Sequence, residues 1–460
     1  MEISGRKALV LGAGRSGVAA ARFLAERGAI VALHDQKDVE QWPAAAKELK
    51  ERHNVGTVSG MLPSWLLDQI DLVVISPGVP TKTIPARYVD RKDGEVIGEV
   101  ELAARFLKGK IVAVTGSNGK TTTTTLIYEI LKSAGLKAQV GGNIGTPLLD
   151  LVASSDDDTW NVVEMSSFQL ESIVDMRPNI ALCLNVTPNH LDRYDSFLDY
   201  AAAKHRIFIN QTKDDVAVLN ADDGITAGWN TGLRAMVEMF SVRQELAKGF
   251  FLRDSELIHR DKGVETVLIS RHEIFLRGLH NVENVLAAFA AGIAAGCDPV
   301  SIRHTVANFR GVEHRIEFVA ESRGVKYYND SKATSVDAAI KAVEALSETE
   351  GKIVLILGGR GKNAPYAPLV PLIEQSVREL VLIGEDADNI ETQLKGAAKI
   401  ERAASLQEAV AMCRRAAVSG DSVLLSPACA SFDMFKSFEE RGTVYKEAVR
   451  TLTGSAAAEG

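Results

Sequence analysis

The apolar run at residues 111–115 leads into Gly116-Ser117-Asn118-Gly119-Lys120-Thr121-Thr122, and helical periodicity follows over 122–134. Strand, glycine-rich turn and helix in this order make a grip for phosphate. Glycines let backbone N–H groups turn inward around an anion. The helix points its positive N-terminal end at the same place. Lys120 brings a mobile charge for β- and γ-phosphates, and the Thr121 hydroxyl can ligate magnesium. The spacing Gly-x-x-Gly-Lys-Thr is two residues shorter than the usual loop, so this is a variant form. A plain helix-capping turn would explain the threonines but not the strand, the glycines and the lysine together.

Gly12-Ala13-Gly14-Arg15-Ser16-Gly17 repeats the arrangement between an apolar run at 7–11 and a helical pattern at 15–27. It fits the dinucleotide fingerprint, and Asp35 stands at the end of the next run, where a ribose-binding acid would lie. Alone, the cluster suits an NAD-dependent dehydrogenase as well as any other nucleotide diphosphate. Two nucleotide-type loops in one chain suggest a division of labour, with ATP on one and a nucleotide-linked substrate on the other. The dehydrogenase reading leaves the 116–122 loop without a purpose. A non-catalytic nucleotide switch is a further reading.

Three other side chains between these loops and residue 210 could take part in chemistry. Glu164 follows the apolar stretch 160–163 within the run 160–165, which suits a magnesium ligand near a phosphate loop. His190 follows the run 180–186, but a lone histidine is more often structural. Lys204 lies among small and apolar residues in Tyr200-Ala201-Ala202-Ala203-Lys204, and on physical grounds alone it reads as a snorkelling surface lysine. Toward the C-terminus three polar turns follow strand-like runs: Asn329-Asp330-Ser331-Lys332-Ala333-Thr334-Ser335, Gly358-Gly359-Arg360-Gly361-Lys362-Asn363 and Ser426-Pro427-Ala428-Cys429-Ala430-Ser431-Phe432-Asp433. Such loops line the ligand crevice of an open parallel sheet. His314 and Arg315 stand at the start of this block.

The elements that must position these groups alternate between strand and helix, the pattern of α/β layers with mostly parallel sheets. Strands are expected at 7–11, 30–34, 72–75, 111–115, 160–165, 180–186, 325–328, 352–357, 379–383 and 422–425. Helices are expected at 15–27, 122–134, 281–295, 335–346 and 406–417. A length of 460 residues suggests three domains, with boundaries expected near 107 and 312. They comprise a Rossmann-like N-terminal domain (1–107), a central P-loop-type ATPase domain (108–312) and a C-terminal Rossmann-like domain (313–460). The formal charge of −8 argues against nucleic acid as a partner. No apolar run reaches the ~18 residues of a membrane span. The four cysteines, Cys183, Cys297, Cys413 and Cys429, form no CxxC pair and are expected as buried free thiols in a reducing cytoplasm.

Taken together, these strings resemble the Mur ligase family, which builds the peptide of the bacterial cell wall, and the resemblance spans all three domains. It is carried by the 116–122 loop, Gly278-Leu279-His280-Asn281-Val282-Glu283-Asn284, Glu313-His314-Arg315 and Asp330-Ser331-Lys332-Ala333-Thr334. His190-Leu191-Asp192-Arg193-Tyr194, the 426–433 turn and Phe435-Lys436-Ser437-Phe438-Glu439-Glu440-Arg441-Gly442 resemble the members that add D-glutamate to UDP-N-acetylmuramoyl-L-alanine.

The resemblance implies an ATP-dependent ligase working through an acyl phosphate. It implies that residues 116–122, Asn281, Arg315 and Asp330 bind ATP, and that Lys120, Glu164, His190 and Lys204 are catalytic. Two magnesium ions would be served by Thr121, Glu164, His190 and a carbamylated Lys204. The UDP-substrate would meet Gly14, Arg15, Ser16, Asp35, Tyr88 and Asn143, and D-glutamate would meet Thr334, Lys362, Ser431 and Phe438. A cytoplasmic monomer is expected. Three positions depart from the family pattern: Asn189 and Arg360 stand where acids are common, and Arg15 where an apolar residue is expected. A sister ligase for another amino acid and a folylpolyglutamate synthetase are the nearest rivals.

Overall fold

The computed structural model describes residues 1–80, 83–84, 94–188, 193–276, 278–347, 351–361 and 364–454. His190, Asn189, Tyr88 and Lys362 therefore lie outside the described residues.

Continuous apolar runs such as KALVL at Lys7–Leu11 and IVLILG at Ile353–Gly358 are buried almost throughout. A strand covered on both faces has no solvent side to alternate with, and this is the sequence mark of a parallel sheet. Three such sheets form. The first has five parallel strands in the order Gly56–Ser59, Ile30–Asp35, Lys7–Leu11, Leu72–Ile75, Glu95–Gly98. Its chain order reverses beside Lys7–Leu11, so the 12–17 loop opens at the topological switch point where such sheets bind ligands.

The second sheet has nine strands. Lys110–Thr115 lies between Ile180–Cys183 and Trp160–Glu164, with Ala138–Gly142 at that edge. On the other side follow Val216–Asn220, Met236–Ser241, Gly249–Arg253, Glu256–Asp261 and Val264–Ser270, the last three joined antiparallel. The third sheet runs Glu317–Ser322, Val325–Asn329, Ser422–Leu425, Ile353–Gly358, Val377–Ile383, Lys399–Arg402, with only its first pair antiparallel. The fold is thus a three-domain α/β architecture of mostly parallel sheets.

The chain divides into two compact units. One comprises Met1–Ile274 and His280–Asn308, and so holds the first two sheets; the other comprises Phe275–Leu279 and the residues from Phe309 onward. Among the described residues no helix is long and apolar enough to cross a membrane. The four cysteines are buried and free, as expected.

Some strands carry only a weak sequence pattern. Val264–Ser270 carries exposed residues in its first half, and Glu256–Asp261 mixes apolar and charged residues. Their hairpin geometry comes from left-handed Asp254, Lys262 and Gly263 at the turns. The run expected to be strand through Val186 stops at Cys183. Beyond it the backbone turns to serve the phosphate loop: the Asn185 carbonyl accepts from the Ser117 N–H at 2.9 Å.

Candidate active site

The phosphate loop is held open by partners that are remote in sequence. The Asn118 N–H donates to Asn185 Oδ1 at 2.8 Å, and Ser117 Oγ donates to the Thr187 carbonyl at 3.0 Å. Ser117 Oγ also meets the Tyr200 hydroxyl at 3.0 Å. Lys120 begins the helix Lys120–Ser133 and donates to the carbonyls of Gly116 and Ser117 at 2.9 and 3.0 Å. Gly119 stands at φ +82, and a Cβ there would lie 2.2 Å from Asn284 Oδ1. Gly119→Ala is therefore expected to cost at least about 1–2 kcal/mol from the left-handed backbone alone. A urea titration and an ATP-binding isotherm check this, with both stability and affinity falling.

Glu164 ends its strand 2% exposed. One of its oxygens accepts from Thr121 Oγ1 at 2.8 Å and the other from Asn143 Nδ2 at 2.8 Å. A hydroxyl and a carboxylate thus meet at the start of the phosphate-loop helix. Thr122 follows on that helix, half-buried, and Asn281 has its Oδ1 accepting from Asn284 Nδ2 at 3.1 Å.

Lys204 does not snorkel. It is 1% exposed, and its Nζ donates to the Gly116 carbonyl at 2.8 Å. The snorkelling expectation fails because Lys204 lies on the face of Phe197–His205 that carries Tyr200 inward, four residues away. Burial, and next the charge of Lys120, lower its ammonium from 10.5 to about 7. The neutral amine is therefore far more accessible near physiological pH than in an ordinary lysine.

In the N-terminal sheet, Gly17 must be glycine, since a Cβ would fall 1.7 Å from the Gly12 carbonyl oxygen. Gly14 caps the helix Arg15–Glu26, and Ser16 lies half-buried in its first turn. Asp35 accepts from the Ala13 N–H at 2.9 Å and the Lys37 N–H at 3.0 Å. Burial pushes its carboxyl up, but those bonds outweigh it and hold the acid below its ordinary value. Asp35 thus braces the loop itself. Arg15 is exposed and donates to the Gly145 carbonyl of the central domain, which explains a polar residue there.

In the C-terminal unit the three polar turns stand side by side, because Ser422–Leu425 lies between Val325–Asn329 and Ile353–Gly358. Asp330 accepts from Ser426 Oγ at 2.8 Å and from the Ile316 N–H at 3.3 Å. Burial pushes its carboxyl up to about 7. Arg315 is flanked by His314 and Ile316, both left-handed at φ +64 and +44. Non-glycine residues rarely hold such angles, and where they do they cluster at functional sites. Ser431 is buried and Thr334 is half-buried. The Phe438 ring meets the His314 ring edge-on at 6.1 Å. Arg360 pairs with Glu385 at 2.9 Å, so it is neutralised within this unit.

Several structural partners were not legible beforehand. Asn185, Tyr200 and Asn284 shape the phosphate loop. Arg441 is 1% exposed and donates to the carbonyls of Ser331 and Cys429 at 2.8 and 3.1 Å, tying two turns together. A charged residue just inside a helix start was the only local hint. Asn284 and Arg441 lie within the strings quoted above, but the partner each one finds is far away in the chain.

Family models match in three stretches: Mur ligase MurD-like, N-terminal domain at residues 6–98; Mur ligase middle domain at 114–292; and Mur ligase, glutamate ligase domain at 314–429. Among curated relatives, the UDP-N-acetylmuramoylalanine–D-glutamate ligase of Geotalea daltonii is 45% identical over 99% of each chain. The protein of that name from Acidobacterium capsulatum is 48% identical over 99% of each chain. Solved structures share the fold at lower identity. A UDP-N-acetylmuramate-alanine ligase from Thermotoga maritima is 19% identical with a TM-score of 0.57, covering 97% of this chain and all of that one. A pseudomurein peptide ligase from Methanothermus fervidus is 18% identical with a TM-score of 0.58 over the same shares. With this identity held along the full length of its relatives, the chain belongs to the Mur ligase family, among the UDP-N-acetylmuramoylalanine–D-glutamate ligases.

Proposed function

We propose that the chain joins D-glutamate to the alanyl carboxylate of UDP-N-acetylmuramoyl-L-alanine with ATP as the energy source, a step in peptidoglycan precursor synthesis. The observation that carries the chemistry is the gathering of Lys120, Thr121, Glu164 and buried Lys204 around one phosphate loop. The identity of the substrates rests on the relatives' names.

In this reading Gly116, Ser117, Asn118, Gly119, Lys120, Thr121 and Thr122 hold the ATP phosphates, with Asn281, Arg315 and Asp330 serving the rest of the nucleotide. An oxygen of the alanyl carboxylate attacks the γ-phosphorus, the β–γ P–O bond breaks and ADP leaves. Lys120 offsets the repulsion between the two anions. The amine of D-glutamate then attacks the acyl carbon and loses a proton, and inorganic phosphate departs.

The donor set around the loop suits magnesium, because the Thr121 hydroxyl and the Glu164 carboxylate are hard oxygen groups already brought together at 2.8 Å. Magnesium supplies neutralisation of the triphosphate charge. A second ion would be served by His190 and by Lys204 as a carbamate. The neutral Lys204 nitrogen bonds to the carbon of CO2 and gives up a proton, exchanging a cation for an anionic oxygen ligand.

Domain 1–107 takes the UDP moiety through Gly14, Arg15, Ser16, Asp35 and Tyr88, with Asn143 on the central side, where it touches Glu164. Domain 108–312 takes ATP. Domain 313–460 takes D-glutamate through Thr334, Lys362, Ser431 and Phe438, with Lys362 as a point charge for the side-chain carboxylate. The enzyme works as a cytoplasmic monomer.

The test is incubation with UDP-N-acetylmuramoyl-L-alanine, ATP, magnesium and radiolabelled D-glutamate. Labelled nucleotide product with one phosphate released per amide is the expected result. L-lysine, meso-diaminopimelate and L-alanine run in parallel should give neither. Turnover with one of those instead assigns a sister activity, and turnover with none sinks the ligase reading.

A further inference from the structure

The ligase reaction requires a carboxylate carried by one domain to reach a phosphate held by another. Something must set that distance, since reacting atoms need to approach within about 3–3.5 Å and a 1 Å misplacement costs about 10²-fold in rate. Arg193 lies where it can do this. One guanidinium nitrogen donates to the Pro77 carbonyl at 2.8 Å. Pro77 follows the strand Leu72–Ile75, in the turn whose Ser76 hydroxyl donates to the Gly12 carbonyl at 3.3 Å. The other terminal nitrogen donates to Glu171 at 3.1 Å, and the face of the guanidinium lies 3.9 Å from the Phe168 ring centre.

From there the connection reaches the phosphate loop. The Tyr194 hydroxyl donates to the second Glu171 oxygen at 2.6 Å. The Tyr194 ring packs edge-on against Tyr200 at 5.4 Å, and the Tyr200 hydroxyl meets Ser117 at 3.0 Å. Arg193 and Glu171 are only 15% and 18% exposed, so solvent screens their pairing weakly. The planar guanidinium can stack on a ring and donate in two fixed directions at once, which the lysine ammonium cannot, so lysine is a poor substitute.

We propose that Arg193 is a positioning residue that holds the 76–79 turn of the substrate domain at a set distance from the phosphate loop. It touches neither ATP nor the reacting carboxylate; it acts through Pro77 on one side and through Glu171 and Tyr194 on the other. The proposal rests on the ligase reading, and wild-type protein in the same assay keeps the two apart. If the wild type makes no glutamyl product, the reading fails; if it does, the variants decide this inference.

The experiment compares Arg193→Ala, Arg193→Lys and Tyr194→Phe in steady-state kinetics, alongside thermal midpoint and ATP affinity. Arg193→Ala is expected to lose about 10²-fold in kcat, while ATP affinity and KM for D-glutamate stay within about twofold of wild type. Millimolar guanidinium ion should restore part of that rate, and Arg193→Lys should restore little. Tyr194→Phe removes only the hydroxyl bond to Glu171 and should lose several-fold in kcat with the thermal midpoint nearly unchanged. If Arg193→Ala is too unstable to assay, Tyr194→Phe decides alone. Wild-type kcat in Tyr194→Phe, or loss of ATP affinity in step with kcat in Arg193→Ala, overturns the proposal.

Discussion

Replacing Lys204 by alanine is expected to lower kcat by on the order of 10²- to 10³-fold, the loss seen when one group that stabilises transition-state charge is removed. Added formate, acetate or propionate should return part of it. The reason lies in where the amine sits. It is almost completely buried, 2.8 Å from the Gly116 carbonyl, with an ammonium lowered to about 7 by burial and then by Lys120. An ordinary lysine would be almost wholly protonated at pH 7 and would not bond to CO2. Burial shifts this one toward the neutral amine near pH 7, and less so at pH 6. The wild type should therefore need more added bicarbonate for full activity at pH 6 than at pH 8.

The same group gives a stability signature that separates lost chemistry from lost fold. Its folded pKa lies below the unfolded value of 10.5. The unfolded chain thus binds more protons between those values, and stability rises with pH across that window. Below about pH 7 the buried ammonium carries its full cost. Lys204→Met should gain most in thermal midpoint over the wild type at acid pH, and the gain should shrink toward pH 10. A Lys204→Ala protein with wild-type kcat, or one indifferent to short carboxylates, overturns the carbamate role.

Glu164→Gln is the second large effect. The carboxylate is 2% exposed and accepts from Thr121 and Asn143 at once, at 2.8 Å each. A glutamine can accept with only one terminal atom. Its amide would face either the Thr121 hydroxyl or the Asn143 amide, so the substitution removes a charge and disorders a pair of bonds together. The expected fall in kcat is about 10²- to 10³-fold. The magnesium concentration for half-maximal rate should rise by at least about tenfold. A side effect follows from charge: Glu164 raises the Lys204 ammonium, so its removal lets that group fall further and moves the bicarbonate dependence to lower pH. Magnesium titrations at pH 6 and 8 read both effects. An unchanged magnesium requirement assigns Glu164 to shaping the loop alone.

Much of the scaffold was legible because it is written in short-range pattern. Lys7–Leu11, Leu72–Ile75 and Ser422–Leu425 coincide with the expected strands, since continuous apolar runs between turn residues admit little else. The strand, turn and helix around Gly12 and Gly116 are likewise local. The edge of the central sheet was not visible, because half-exposed strands such as Val264–Ser270 owe their state to neighbours. The 180–186 run ended early for a related reason: its last residues gave up strand pairing to receive the phosphate loop.

By itself the sequence determined the three α/β sheets, the two glycine-rich loops and the residue types available at the strand ends. Only the tertiary structure decided which polar groups meet. Thr121 finds Glu164 across 43 residues, Lys204 finds Gly116 across 88, and Arg193 finds Pro77 across 116. These pairings depend on sheet order and on which helix face turns inward, and neither is encoded within a single strand or turn. The same order decided that Lys204 is a buried amine with a lowered pKa, because desolvation belongs to the packed surroundings and not to the side chain.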